Sequence, residues 1–192
     1  MDYVYTTLTQ PQVDHAPPAV KVKLVNRTER PPTPFPPLPH ARPSGIMGLV
    51  EILADRGGRD DLYKLAGALA MEVDDLLPLL EGASLLGFIE VKQGDVEITP
   101  QGRAFAGADT PAQKDLFRAA AVEHVKLLNQ LHHCLNAKAD HVLPAEFFLD
   151  ILDEHFSDAE ARRQLDTAIQ WGRFAEILEY DANRDRLSLH EH

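Results

Sequence analysis

The sequence predicts a mainly α fold with small β-hairpin wings, an α+β chain built as tandem winged helix-turn-helix units joined by a long helix. Three observations carry this expectation. Apolar residues recur at helical spacing in two short stripes, Leu62, Leu65, Ala66 and Leu69, then Val73, Leu76, Leu77, Leu80 and Leu85 or Leu86, with a helix-helix turn between them around 70–73. Two alternating runs follow, Phe88, Ile89 and Val91 and then Val96 and Ile98, about a Gln93-Gly94 turn, so a two-stranded wing closes the unit. The same order of elements recurs toward the C-terminus without residue-by-residue identity, an architectural repeat and not a solenoid period.

Taken from the start, residues 2–10 (DYVYTTLTQ) offer Tyr3, Val4, Tyr5 and Leu8 for a helix or strand too short to stand alone. Residues 11–43 hold most of the 14 prolines, which stiffen the chain toward polyproline II and read as a linker. Within it, residues 21–25 could pair as a brief strand and PPTPFPPLP could dock on an aromatic groove; a semi-rigid spacer is the simpler reading. Ser44 is the expected N-cap of a helix over 46–56, with Ile46, Leu49, Val50 and Leu53 on one face and Gly57-Gly58 as its stop. Gly87 ends the later helix of the pair, and Thr99 with Pro100 starts another that finishes the first unit, 44–107.

The punctuation Ala108-Asp109-Thr110-Pro111 opens the second unit, 108–192, with a long helix from Pro111 to Asn136 that buries Leu116, Ala120, Val125, Leu128, Leu131 and Leu135. Pro144 then opens a helix carrying Phe147, Phe148, Ile151 and Leu152. Ser157-Asp158-Ala159-Glu160 is a capping box for the next, whose core face is Leu165, Ala168, Ile169 and Trp171. After Gly172, residues Ile177, Leu178 and Tyr180 form a strand, 181–185 turns, and Leu187 and Leu189 return.

Of the 192 residues, 44% are hydrophobic and 26% charged, ordinary for a globular chain of one or two domains. No apolar run reaches the roughly 20 residues of a membrane-spanning helix, and no basic stretch followed by an apolar one marks an export signal, so a cytoplasmic location is expected. The single cysteine, Cys134, excludes an intrachain disulfide and an all-cysteine metal site. The net charge of -11 is uneven: residues 1–45 carry 5 basic and 3 acidic side chains, 46–107 carry 5 and 11, and 108–192 carry 9 and 16. Proteins that grip DNA do so by neutralising phosphates with Lys and Arg, which an acidic body opposes.

The helix that would read DNA in the first unit offers Glu72, Asp74, Asp75 and Glu81 to solvent, like charges for a phosphate. Its counterpart at 157–173 is more mixed, with Arg162, Arg163, Gln164, Gln170 and Arg173 among Asp158, Glu160 and Asp166. A DNA-binding transcription regulator is therefore the alternative, and a protein-docking use of both units the preferred reading. His124 and His132, the run His132-His133-Cys134, and His141 and His155 invite a metal site, but their spacing gives no i, i+4 ligand pair, and Asp153-Glu154-His155 do not converge on a helix. No phosphate-cradling loop, dinucleotide fingerprint or nucleophile elbow occurs, so no catalytic, cofactor or metal residue is assigned and no enzyme activity is expected.

The blocks LPHARPSGIMGLVEIL, GGRDDLYKLA, EVDDLLPLLE, LLGFIEV, GDVEITPQG and LDTAIQWGRFAEILEYD resemble the C-terminal AAA-associated domain appended to ATP-binding subunits of nitrate, sulfonate, taurine and bicarbonate type ABC importers, over about 38–189. The resemblance implies that DYVYTTLTQ corresponds to the end of an ATPase domain and 11–43 to the linker behind it. The Walker motifs, signature motif and switch histidine of such an ATPase are missing, so the resemblance implies an accessory or regulatory module without ATPase activity, either separated from its ATPase or independently encoded. The partners it implies are the ABC transporter's ATPase and membrane subunits, or a second copy in a homodimer; nucleic acid is disfavoured, and the module meets the membrane only peripherally through the complex. Candidate partner-contact residues are Asp74, Asp75 and Glu81 on the acidic helix and His40, Arg42, Trp171, Arg173 and Tyr180 near the family-like blocks; Trp171 and Tyr180 could equally belong to the core.

Overall fold

Pro43 sets the first helix. Proline has its φ fixed at a helical value and needs no hydrogen-bond partner at a helix start, so α1 (Pro43–Asp55) begins there with Arg42 in the N-cap position, and Ser44, the expected cap, lies inside the helix. The computed structural model describes residues 36–190. The readings made for 2–10 and 21–25, and most of the proline-rich stretch, lie outside the described residues. After α1 come β1 (Arg59–Asp61), α2 (Leu62–Leu69), α3 (Val73–Leu85), β2 (Ile89–Lys92) and β3 (Asp95–Ile98). The connecting helices are α4 (Pro100–Ala106), α5 (Thr110–His124) and α6 (Lys126–Ala137), and the last group is β4 (Val142–Pro144), α7 (Ala145–Asp153), α8 (Asp158–Phe174), β5 (Leu178–Asp181) and β6 (Arg186–Leu189).

The described residues thus form a mostly helical α+β fold with two small antiparallel sheets, ordered β1-β3-β2 and β4-β6-β5. In the first, Val91 pairs with Val96 and Lys92 with Asp95, leaving Gln93 and Gly94 as a two-residue loop with φ of 54° and 91°. Two successive positive φ values make a type I′ turn, whose twist matches the strands it joins. Each sheet has a third strand, β1 or β4, that the sequence reading did not contain; β1 pairs Asp60 with Val96 and β4 pairs Leu143 with Leu187.

The long helix expected over 111–136 is two helices. Val125 leaves the helical region at φ -100°, ψ 91°, ending α5 and preceding α6, and the Asn129 side chain donates to the Val122 carbonyl at 2.6 Å, satisfying an acceptor that the break frees. Other sequence signals act as read. Thr99 accepts from Gly102 N at 3.0 Å to cap α4, and Ser157 accepts from Glu160 N at 3.4 Å to start α8. The return half of that capping box is replaced, because the Glu160 carboxylate accepts from Gln164 and pairs with His40.

One buried core runs through both groups. Phe88 at the base of the hairpin stacks on Phe105 of α4 at 4.4 Å, Phe117 of α5 meets Trp171 edge-on at 5.6 Å, and Phe174 closes against Phe117 at 4.9 Å. These offset and edge-to-face contacts add specificity to the burial of large rings. Gly102 lets α4 approach: a Cβ there would lie 2.0 Å from the Phe88 carbonyl oxygen. The described residues all fall in one compact unit.

Candidate functional site

Helix α3 presents the most unusual surface. Asp61 caps α2 by accepting from Tyr63 N and Lys64 N, and Leu62 N donates to Gly94 O at 2.9 Å, so the start of α2 is tied to the hairpin tip. Ala70, left-handed at φ 53°, turns the chain from α2 toward α3. In α3, Leu76, Leu79, Leu80, Gly82 and Ala83 face inward. Residues on a helix are turned by about 100° from one to the next, so Leu77, Glu81, Ser84 and Leu85 fall on the opposite edge. Leu77 is 40% exposed and Val91 of β2 is 44% exposed. With Leu62, Leu80, Glu81, Ser84 and Leu85 they line an open, mainly apolar depression of about 420 Å³ between α3 and the hairpin, and Tyr63 stands 73% exposed in α2.

One carboxylate, Glu81, lines this depression. Asp74 lies one turn before Leu77 on the same edge, whereas Asp75 points about 100° away. Both sit in the first turn of α3, where negative charge is favoured by the helix dipole. Among the described residues the side chains of Glu72, Asp74, Asp75 and Glu81 have no hydrogen bond or ion pair, and all four are exposed. The carboxylates of the hairpin beside them are paired instead: Arg59 reaches Asp95 at 2.6 Å and Glu97 at 2.9 Å, and Lys92 pairs with Glu90. The hydrogen bond to Asp95, then the charge of Glu97, holds Arg59 above the usual guanidinium range. Pro78 inside α3 has no N–H, so the Asp74 carbonyl lacks its i+4 donor.

His40 and Arg42 belong to a second feature, a strap of residues 38–42 laid on α8. The buried Gln164 side chain accepts from Leu38 N at 2.6 Å and donates to Leu38 O at 3.1 Å, reading that backbone as a neighbouring strand would. Trp171 Nε1 donates to Ala41 O at 2.8 Å, and the His40 ring bridges Thr167 Oγ1 at 3.1 Å and Glu160 Oε1 at 3.0 Å. Positions 160, 164, 167 and 171 recur at helical spacing on one face of α8, so the strap follows a single stripe. Burial pushes the Glu160 carboxyl up, but the hydrogen bonds from Gln164 and His40 outweigh it and leave the group below the usual carboxylate range.

Arg42 is exposed, and with His40, Arg163, Asp166, Thr167 and Gln170 it borders a shallow pocket of about 210 Å³. Trp171 is fully buried, so this proposed contact residue packs the core and anchors the strap. Tyr180 is half-buried and its hydroxyl donates to Asp185 at 2.7 Å, which raises its pKa above the usual phenol range. Arg173 is exposed near the end of α8, 4.0 Å from Glu179 of β5. The structure therefore joins His40 to the Trp171 stripe, and separately sets Asp74 and Glu81 on one edge. Sequence reasoning placed Gln164 among polar groups available to DNA and counted Leu77 in the core. Leu76 and Leu77 are turned by about 100° from each other, and with Leu79, Leu80 and Ala83 setting the buried face on the Leu76 side, Leu77 falls outside it.

Among the described residues no three His, Cys, Asp or Glu side chains converge as metal ligands would, and no helix is long and apolar enough to cross a membrane. No curated protein and no solved structure matches the chain. A family model described as the C-terminal AAA-associated domain matches residues 63–181, from the first turn of α2 to the last residue of β5 and more than half of the 192 residues. The chain belongs to the C-terminal AAA-associated domain family.

Proposed function

We propose that this chain is an accessory, non-catalytic module of an ABC-type importer ATPase, and that it acts by docking on protein. The family is described by its association with an ATPase and not by a reaction. The order helix, strand, helix, helix, hairpin in α1 to β3, repeated in α6 to β6, supports a tandem winged-helix reading in which α3 and α8 occupy the recognition-helix positions. The observation that carries the docking reading is the outer edge of α3 with the adjoining β2, where Leu77 and Val91 are exposed and Asp74 and Glu81 have no ion pair among the described residues. Apolar area gives such a surface affinity, and its charge selects a basic protein patch over phosphate. A DNA-binding regulator would need the opposite charge on this helix.

The partners are the ATPase and membrane subunits of a transporter of the nitrate, sulfonate, taurine or bicarbonate type, on the cytoplasmic side. Co-purification of the full chain with those subunits tests this, together with transport in a deletion strain. Association, with altered transport regulation or complex assembly on deletion, is the expected result. Failure of the wild-type chain to associate with any subunit, with normal transport in the deletion strain, would refute it. Salt-sensitive duplex binding in a gel-shift assay would favour the regulator instead.

A further inference from the structure

We infer that the depression between α3 and the hairpin receives a basic amphipathic helix from a partner protein. This rests on the docking reading above and names what docks. Leu62, Leu77, Leu80, Leu85 and Val91 supply an apolar floor that runs beside α3. From Asp74 to Leu85 that edge of α3 extends about 16 Å, the length of roughly three helical turns, which suits anchor side chains spaced i, i+4 and i+7. β2 has only four residues, a short template for adding an extended strand.

The rim decides the charge of the occupant. Among the described residues Asp74 and Glu81 have no cationic partner, and the nearby Lys92 is already engaged by Glu90. Residues 46–107 as a whole carry 5 basic and 11 acidic side chains, so an approaching cationic segment is drawn in from beyond contact distance. A phosphate surface is repelled by the same carboxylates. A second copy of the described residues does not fit either. Its exposed large apolar side chains are Tyr63, Leu77, Val91, Val122 and Phe147, so no helix carries two of them, and an occupant of this groove needs at least two anchors.

The test uses the full 192-residue chain and three labelled peptides of about 18 residues, long enough to cover three turns with frayed ends. One carries leucines at i, i+4 and i+7 flanked by lysines, the second replaces each lysine by glutamate, and the third places proline at the centre of the basic sequence. Fluorescence anisotropy should show saturable binding of the first peptide only, weakening as salt rises. The double variant Asp74→Lys/Glu81→Lys, whose sites are exposed, should retain its helical spectrum and bind the basic peptide roughly tenfold more weakly. Leu77→Ala/Val91→Ala should weaken binding without changing its salt dependence. Equal binding of the acidic or proline-broken peptide, no saturable binding of the basic one, or indifference to the charge reversal overturns the inference. If that happens while the chain still co-purifies with transporter subunits, the groove assignment fails and the docking function stands. Peptide binding as expected without co-purification removes the transporter partner and leaves the groove.

Discussion

Replacing Gln164 by alanine should destabilise the protein far more than its single amide suggests. The Gln164 side chain is 1% exposed and supplies both hydrogen bonds to the main chain of Leu38, a residue itself 3% exposed. Truncation leaves a buried N–H and a buried C=O without partners, each costing about 1–3 kcal/mol, and opens a small void against α8. Water entering from the His40 side recovers part of this, so a net loss of about 3 kcal/mol is expected. At roughly 2–4 °C per kcal/mol for a domain of this size, the melting midpoint should fall by about 6–12 °C. The one tryptophan, Trp171, is fully buried and is a direct fluorescence probe of urea unfolding in this region. His40→Ala, in the same strap but with its side chain and that of Glu160 partly exposed at 28% and 30%, should cost under about 1 kcal/mol. A Gln164→Ala loss below about 1 kcal/mol, or one no larger than that of His40→Ala, would refute this account of the strap.

Gly102→Ala should lose about 3 kcal/mol in the same unfolding assay, because the new methyl would meet the Phe88 carbonyl, a backbone atom that cannot yield cheaply. Arg118→Ala should cost about 1–2 kcal/mol, since Arg118 donates to Ala175 O and pairs with Glu176 at 2.8 Å where α5 meets the end of α8. Glu160 and Glu176 are both held below the ordinary glutamate value of 4.5, Glu176 chiefly by its hydrogen bond from Lys114. A carboxylate with a depressed folded pKa stabilises the protein above its unfolded value and loses that contribution as pH falls through the folded one. Urea midpoints measured from pH 7 down to pH 3 should therefore decline below about pH 4.5, and Glu160→Gln/Glu176→Gln should flatten that decline. An unchanged acid slope in the double variant would contradict these two assignments.

The helices were readable because their apolar residues recur with the period of the helix, and the hairpin was readable because Gln93-Gly94 separates two alternating runs. The third strands were not. Arg59-Asp60-Asp61 and Val142-Leu143-Pro144 are too short to alternate, and each exists because β3 or β6 presents a free edge at the right place. The interruption at Val125 was hidden because AAAVEHVKLLNQ contains no glycine or proline to mark it. The acidic charge of α3 was legible in composition alone. Its apolar depression was not, because whether a leucine such as Leu77 lies inside or outside depends on where the rest of the core sits. The strap was out of reach as well, since nothing in the sequence pairs Leu38 with Gln164.

That pairing bears on how the chain acquires its structure. Leu38 and Gln164 are separated by 126 residues, and Ala41 and Trp171 by 130. Bringing such distant points together carries a loop-closure entropy of roughly 4 kcal/mol from the length-dependent part alone, so these contacts form after the helices and hairpins have folded locally. Gln164→Ala should accordingly leave the refolding rate nearly unchanged and steepen the loss through faster unfolding. During synthesis the order is more extreme. Residues 38–42 leave the ribosome some 130 residues ahead of their seat on α8, which is completed only when Trp171 has followed, so the strap waits unseated while almost all of the fold it will fasten is still being made.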